Sequence, residues 1–382
     1  MKNKIIILSQ ILFVLTSCGA VNTSNKHSSI EDSISPSFEY YSETYANPLM
    51  VTNENSQFEY VDEVADPAVV RDYENGYIYA FATNQVVLRS SDGCTYEKLN
   101  RKALNKVPTW GQEVYPDTTS FGVWAPDVIK IGDKWIYYYS LSNWMQCAGI
   151  GYAISSSLDE PFIDQGKLFT YLEIGIDNVI DPHVFVEGDK VYMTCGSFCG
   201  LYVLELTSDG MALKGGVETQ KEEKVLVAGR EGGWDSATYE ASYVLKKDMY
   251  YYYFGSAGSC CNGQKSTYRV LVGKSKSIKG PYLDSDGHAL TESGNGITYG
   301  DICLWGGESE SKKVYGPGHN SVFVDDKNDY WLMYHAYTEK DHYRTRHLMM
   351  DKLLWDDNGF PYIENRIPSF QEELDGPRFI LE

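Results

Sequence analysis

The chain has 382 residues, a formal net charge of −20 at pH 7, and 31 tyrosines beside 8 tryptophans. Such an acid excess argues against nucleic acid as a partner, since that binding rests on basic patches. It equally disfavours acidic polysaccharides such as polygalacturonate, and it leaves neutral sugar polymers open.

Residues 1–17 read as a secretory signal, with Lys2 and Lys4, an apolar core from Ile5 to Leu15, and then Thr16-Ser17. The apolar run is too short for a spanning helix. Leu15-Thr16-Ser17-Cys18 resembles the bacterial lipobox, in which the cysteine becomes the lipidated N-terminus after cleavage. The expectation is a mature chain starting at Cys18, more acidic still, held on a membrane of the cell envelope by acyl chains and facing the periplasm or the exterior. Residues 18–56 are rich in Ser, Asn, Thr and Glu, lack a sustained apolar period and read as a flexible tether. Tyr40, Tyr41 and Tyr45 are the first residues there suited to a folded part. From 57 to 382 the composition is uniform and reads as one domain.

A unit recurs five times within that domain: a polar head, a short apolar strand, a tight turn and an aromatic strand. Asp66 heads PAVV, with YIYAF after a turn ending at Gly76. Asp127 heads VIK and then WIYYYS; Asp181 heads PHVFV and then VYMT. Glu240 heads ASYVL and then YYYYF; His319 heads NSVFV and then YWLMY. The heads are 61, 54, 59 and 79 residues apart. Tyr, Phe and Val favour strands, and repetition at this spacing with room for two more strands per unit predicts an all-β, five-bladed β-propeller. If the innermost strand of each blade starts near the axis, three aspartates, a glutamate and a histidine converge at one end of it. Buried carboxylates are costly unless paired, hydrogen-bonded or used, although Asp also initiates turns.

Without Cys18 seven cysteines remain: Cys94, Cys147, Cys195, Cys199, Cys260, Cys261 and Cys303. The odd number leaves at least one thiol unpaired within the chain. Cys195 and Cys199 are loosely spaced for zinc, and no second pair supports them. The neighbours Cys260 and Cys261 require unusual backbone geometry to bridge, so no disulfide is assigned.

A ring of carboxylates suits glycosidic hydrolysis. One carboxylic acid protonates the leaving oxygen, and a second carboxylate acts as base for water or as nucleophile. A third nearby holds the acid protonated by like-charge repulsion and orients it. No serine triad, phosphate-cradling glycine loop or His-Glu-x-x-His motif offers a competing chemistry.

The motifs Asp66-Pro-Ala-Val, Trp124-Ala-Pro-Asp-Val, Ile180-Asp-Pro-His-Val, Tyr239-Glu-Ala-Ser and Gly316-Pro-Gly-His-Asn-Ser resemble those of family 43 glycoside hydrolases. Cys260-Cys-Asn-Gly-Gln-Lys-Ser-Thr-Tyr268, with Val272-Gly-Lys-Ser-Lys-Ser and Gly280-Pro-Tyr-Leu-Asp after it, resembles the arabinanases within that family. The resemblance covers nearly all of residues 64–365. It implies a five-bladed propeller and an inverting mechanism, with Asp66 as general base, Glu240 as general acid and Asp181 tuning and positioning the acid. His319 matches a histidine near the axis that helps hold a water-ligated cation, usually calcium; water between them reconciles a nitrogen ligand with an ion that prefers oxygen. Asp127 lies in a matching motif and is expected to fix strands or bind substrate. Trp124 is expected to stack on sugar, its other use being blade packing.

Three departures bear on substrate subsites. Ser242 stands where a proline is commoner, the segment 196–200 is one residue shorter than the usual form, and residues 285–315 form an acidic insertion. The expected function is hydrolysis of α-1,5-L-arabinan or arabino-oligosaccharides, with no organic cofactor. An exo-acting arabinofuranosidase or xylosidase and an inactive carbohydrate-binding propeller are the alternatives.

Overall fold

The computed structural model describes residues 39–53, 63–306 and 313–380. The signal, Cys18 and the tether up to residue 38 lie outside the described residues. Among those described, no helix is long and apolar enough to cross a membrane.

Five antiparallel sheets follow one another in chain order and form the blades of a five-bladed β-propeller. Their innermost strands are Ala68–Arg71, Gly122–Ile131, His183–Glu187, Glu240–Lys247 and Val314–Val324. Blades 2 to 5 have four strands each. In blade 1 the short strand Met50–Thr52 adds in parallel to Thr95–Lys98 at the outer edge. The acidic insertion supplies the outer strand of blade 4, Asp301–Trp305, which pairs with Arg269–Ser275.

The second strand of each blade carries the aromatic run, and its two faces serve two neighbours, as a period of two requires. In Tyr250–Ala257, Tyr251 and Tyr253 pack towards blade 3, while Tyr252 and Phe254 pack towards blade 5. In Lys134–Ser142, Trp135, Tyr137 and Tyr139 face blade 1 and Ile136 and Tyr138 face blade 3. The core is therefore five slabs, one per junction between blades. These strands are buried on both faces, which explains their near-continuous apolar sequence. Truncating Phe254, which has no exposed surface, to Ala would cost about 3–5 kcal/mol.

The ring closes where blade 5 meets blade 1. Phe323, Trp331, Met333 and Met350 of blade 5 share a slab with Ile78, Ala80 and Leu88 of blade 1. Both chain ends join this slab through Tyr45, Leu49 and Phe379. Tyr40–Tyr41 pairs with Phe379–Ile380, Thr44–Tyr45 pairs with Leu374–Asp375, and Arg71 makes a two-pronged ion pair with Asp326. Asn47 anchors the entering chain by donating to the Met350 carbonyl at 2.7 Å and accepting the Met350 N–H at 2.9 Å. The folded unit therefore begins at Tyr40, before the boundary at 57 read from composition. The polar residues of 40–52 are a strap whose few apolar side chains reach the core.

Candidate active site

Just before or within each innermost strand one residue sits in the left-handed region: Asp66 (φ 57°), Ala125 (φ 41°), Asp181 (φ 57°), Ala241 (φ 56°) and His319 (φ 51°). Each such non-glycine residue costs roughly 1–2 kcal/mol. The compensation is a ring of hydrogen bonds from blade to blade. Ala125 N–H donates to Thr83 Oγ1 at 2.9 Å, Asp181 N–H to Ser140 Oγ at 3.0 Å, His319 N–H to Ser256 Oγ at 3.0 Å, and Asp66 N–H to His335 Nδ1 at 3.0 Å. The acceptors occupy equivalent places, closing the aromatic strand of the preceding blade. Blade 3 has Gly196 at that place, and there Ala241 N–H donates to the Asp181 carboxylate itself, Oδ2, at 2.8 Å. A Cβ on Gly196 would collide with the Gly200 carbonyl oxygen, so this position cannot supply an acceptor of its own.

This register corrects the sequence-based one. Asp66, Asp181 and His319 are the left-handed heads of their blades. Glu240 stands one residue before its head, Ala241, in the place Trp124 occupies on blade 2. Asp127 stands two residues after Ala125, further along the inner strand. Its Oδ2 accepts Val184 N–H at 2.6 Å and lies 3.4 Å from His183 Nδ1. Asp127 thus braces blade 2 against blade 3 and is not among the groups gathered around Asp66. The sequence repeat lines up the acids, whereas the fold lines up the left-handed residues that Pro67, Pro126 and Pro182 follow.

Asp66 Oδ2 accepts the Thr83 hydroxyl at 2.5 Å. Its Oδ1 faces His319 Nδ1 at 3.2 Å, His335 Nδ1 at 3.4 Å and an Arg346 guanidinium nitrogen at 3.7 Å. Burial alone would raise this carboxyl. The His319 charge and hydrogen bond, with Arg346 and His335, instead hold it well below the usual carboxylate range. Glu240 is the opposite case: burial and the neighbouring Asp181 charge push it up to about 8, against hydrogen bonds from Tyr268 and Ser197. Ser197 Oγ donates to Glu240 Oε2 at 2.9 Å. Asp181 is raised by burial to about 6, with His319 opposing and Asp66 adding. Near neutral pH the site therefore holds an ionised Asp66 and a protonated Glu240, with Asp181 between them electrostatically. The two environments drive these carboxyls to opposite protonation states, the arrangement that a base and an acid acting together require.

Several of these partners were not singled out from the sequence. Thr83, Ser140, Ser256 and His335 each close an aromatic run, and that recurring polar residue was the available signal. Ser197 lies in the shortened segment 196–200, which turns back to place it on Glu240. Ser242, at the place where proline is commoner, donates its hydroxyl to the Asp181 carbonyl at 3.2 Å, a bond proline cannot make. The Tyr268 ring stacks on His335 at 5.8 Å and 9°. Cys260 and Cys261 are bridged to each other, although neighbouring cysteines require unusual backbone geometry to pair; the chain bends at 260–262. Arg346 donates to Cys261 Sγ at 3.6 Å. The other described cysteines are buried free thiols.

Trp124 is half-buried and packs against Trp144 at 5.1 Å, and Trp144 is 75% exposed. Gly122 makes room for the Trp124 indole, which a Cβ there would strike. His319 turns Nδ1 to Asp66. Burial alone would lower His319, but the charges of Asp66 and Asp181 and the hydrogen bond to Asp66 raise it to about 9, so near neutral pH its Nε2 also carries a proton. Among the described residues no group of three or more His, Cys, Asp or Glu side chains could hold a metal ion. These side chains form no direct cage, so a cation here would be held mainly by water and would have to displace the Nε2 proton of His319.

Residues 61–361 match the sequence model of the glycosyl hydrolases family 43. The chain is 31% identical over 320 residues to an extracellular exo-α-(1→5)-L-arabinofuranosidase of Cellvibrio japonicus, covering 80% of this chain and 87% of that one. It is 27% identical to the extracellular endo-α-(1→5)-L-arabinanase 2 of Bacillus subtilis, covering 76% and 69%. Among solved structures, the α-L-arabinanase of Cellvibrio cellulosa complexed with arabinohexaose superposes with a TM-score of 0.68 at 28% identity, over 82% of this chain and all of that one. The match over residues 61–361, with these relatives and the five-bladed propeller, places the chain in glycosyl hydrolase family 43, as a glycosidase.

Proposed function

We propose that this glycosidase hydrolyses the α-1,5 links of L-arabinan or its oligosaccharides by a single displacement with inversion. The observation that carries this reading is the opposed protonation of Asp66 and Glu240, with Asp181 tied to the residue after the acid. Asp66 takes a proton from water as the water oxygen attacks the anomeric carbon. Glu240 gives its proton to the glycosidic oxygen as the bond from carbon to that oxygen breaks. Asp181 keeps Glu240 protonated until it is needed, and Ser197 and Tyr268 hydrogen-bond the carboxylate that forms. A water-ligated calcium ion at His319 would take the place of the second imidazole proton and keep positive charge on the axis. The names of the relatives support arabinan as substrate.

The test is a panel of linear arabinan, branched arabinan, xylan and aryl glycosides, with the anomer of the first product read by NMR before mutarotation. Inversion is expected, consistent with carboxyls about 6.5–9.5 Å apart. A product of retained configuration rejects Asp66 as base, and binding without turnover on every substrate makes the chain a binding propeller. The relatives carry both endo and exo names, so the same digest decides between them: a ladder of oligosaccharides from linear arabinan marks endo action, and early release of one short product marks exo action. Anchoring through Cys18 belongs to the same reading. Cys18→Ala should leave activity intact and free the enzyme from the membrane fraction.

A further inference from the structure

We infer that Thr83 is a positioning residue for the general base, its hydroxyl holding the Asp66 carboxylate in the orientation that takes a proton from water. The inference rests on the reading of Asp66 as base. Thr83 closes the aromatic strand of blade 1 and is buried, 7% exposed. A hydroxyl has one proton and two acceptor lone pairs. Ala125 N–H can only donate, so the 2.9 Å bond from it occupies a lone pair of Thr83 Oγ1. The proton is then directed to Asp66 Oδ2, at 2.5 Å.

The equivalent hydroxyls, Ser140 and Ser256, each receive a backbone N–H from the next blade. Thr83 adds to that bond a second one, to a carboxylate. The other Asp66 oxygen faces the donors His319 and Arg346, both from blade 5. A carboxylate drawn from one side only turns both oxygens to that side, and a guanidinium favours such two-pronged pairing. Thr83 opposes the turn from the blade 2 side. Asp66 is thereby held from two sides, and Oδ2, whose anchor is the single Thr83 hydroxyl, keeps a lone pair for a water proton. A base so held keeps its aim at a water about 3 Å away, and a small loss of aim is expensive in rate.

The test uses the full-length protein with linear arabinan and an arabinosyl azide, whose leaving group needs no protonation. Thr83→Val keeps the shape and removes the hydroxyl. Its kcat should fall about 10–100-fold on both substrates, because both need the base, with KM within about threefold. Thr83→Ser should restore at least about a third of the wild-type kcat, since it returns the hydroxyl alone. Thr83→Val added to Asp66→Ala should cost nothing further, as positioning a base that is absent has no effect. Wild-type kcat in folded Thr83→Val, or a loss that Thr83→Ser does not repair, overturns the inference. If the valine variant does not fold, Thr83→Cys, a weak acceptor for Ala125 N–H and a poor donor, takes its place, and wild-type kcat there overturns it equally. Full activity in Asp66→Ala alone would instead remove the base reading, whatever Thr83 does.

Discussion

The junction between blades 2 and 3 and the junction between blades 3 and 4 begin from the same backbone geometry and end with different chemistry. At the first, Ser140 takes the N–H of Asp181, and the strained turn is satisfied by a residue with no further task. At the second, Gly196 has no side chain to offer, and the carboxylate of Asp181 reaches across to Ala241 N–H. That reach brings Asp181 beside the acid, because Glu240 is the residue before Ala241. The tight segment that forbids a side chain at 196 is also the one that turns Ser197 onto Glu240. On the proposed mechanism, a structural repeat becomes part of the catalytic site here by losing one acceptor and recruiting a charged one.

If the third-to-fourth junction carries the chemistry, the largest effect should come from the acid itself. Glu240→Ala should lower kcat on arabinan by about 10²–10⁴ while sparing much of the rate on a substrate whose leaving group departs without a proton. Equal losses on both substrates, measured side by side, would move Glu240 out of the acid role.

Asp181 separates the two halves of the comparison. Asp181→Asn keeps an oxygen for Ala241 N–H and removes the charge, whereas Asp181→Ala removes both. The alanine variant should therefore be the slower and the less stable. In the wild type Glu240 keeps its proton up to about 8, so the rate should fall as pH rises through that value. Removing the Asp181 charge makes ionised Glu240 less costly, its pKa falls, and the basic limb of the asparagine variant should move to lower pH. A pH–rate profile with an unmoved basic limb would leave Asp181 a purely structural acceptor.

Ser140→Ala tests the plain junction. It leaves Asp181 N–H buried without its partner, a loss of about 1–3 kcal/mol visible in thermal melts. The basic limb should stay where it is and kcat should change by less than the acid and Asp181 variants change it. A displaced basic limb in Ser140→Ala would mean that the second-to-third junction also sets the acid's charge state, and the contrast between the two junctions would dissolve.

The propeller was legible in the sequence because each blade announces itself with a tight turn and an aromatic strand, and that pattern follows directly from burial on both faces. Asp66 and Asp181 were legible as heads because a proline follows each, fixing the chain just past the left-handed turn. Asp127 was misplaced for a physical reason: an acid beside a strand start looks alike whether it precedes or follows the turn, and only the pairing of Asp127 with Tyr138 across the sheet fixes its position. The partners of the acid and base were hidden because they lie on neighbouring blades. Thr83 meets Ala125 and His335 meets Asp66 only once the ring is closed. The bridge between Cys260 and Cys261 depends on a local backbone geometry that residue types alone do not specify.

Closure of that ring has a consequence for how the enzyme fails on heating. A closed ring has no terminal repeat to fray, so opening must begin at a junction. The junction of blades 5 and 1 is the one fastened by short two-residue strand pairs at the chain ends, Tyr40–Tyr41 with Phe379–Ile380 and Thr44–Tyr45 with Leu374–Asp375. It is also the junction across which Asp66 meets His319, His335 and Arg346. Opening there would strip the base of its partners while Asp181 and Glu240 stay together on blades 3 and 4. Heat inactivation should then run ahead of the loss of strand structure, and a fastening that tightens the two chain ends would prolong activity without touching a catalytic residue.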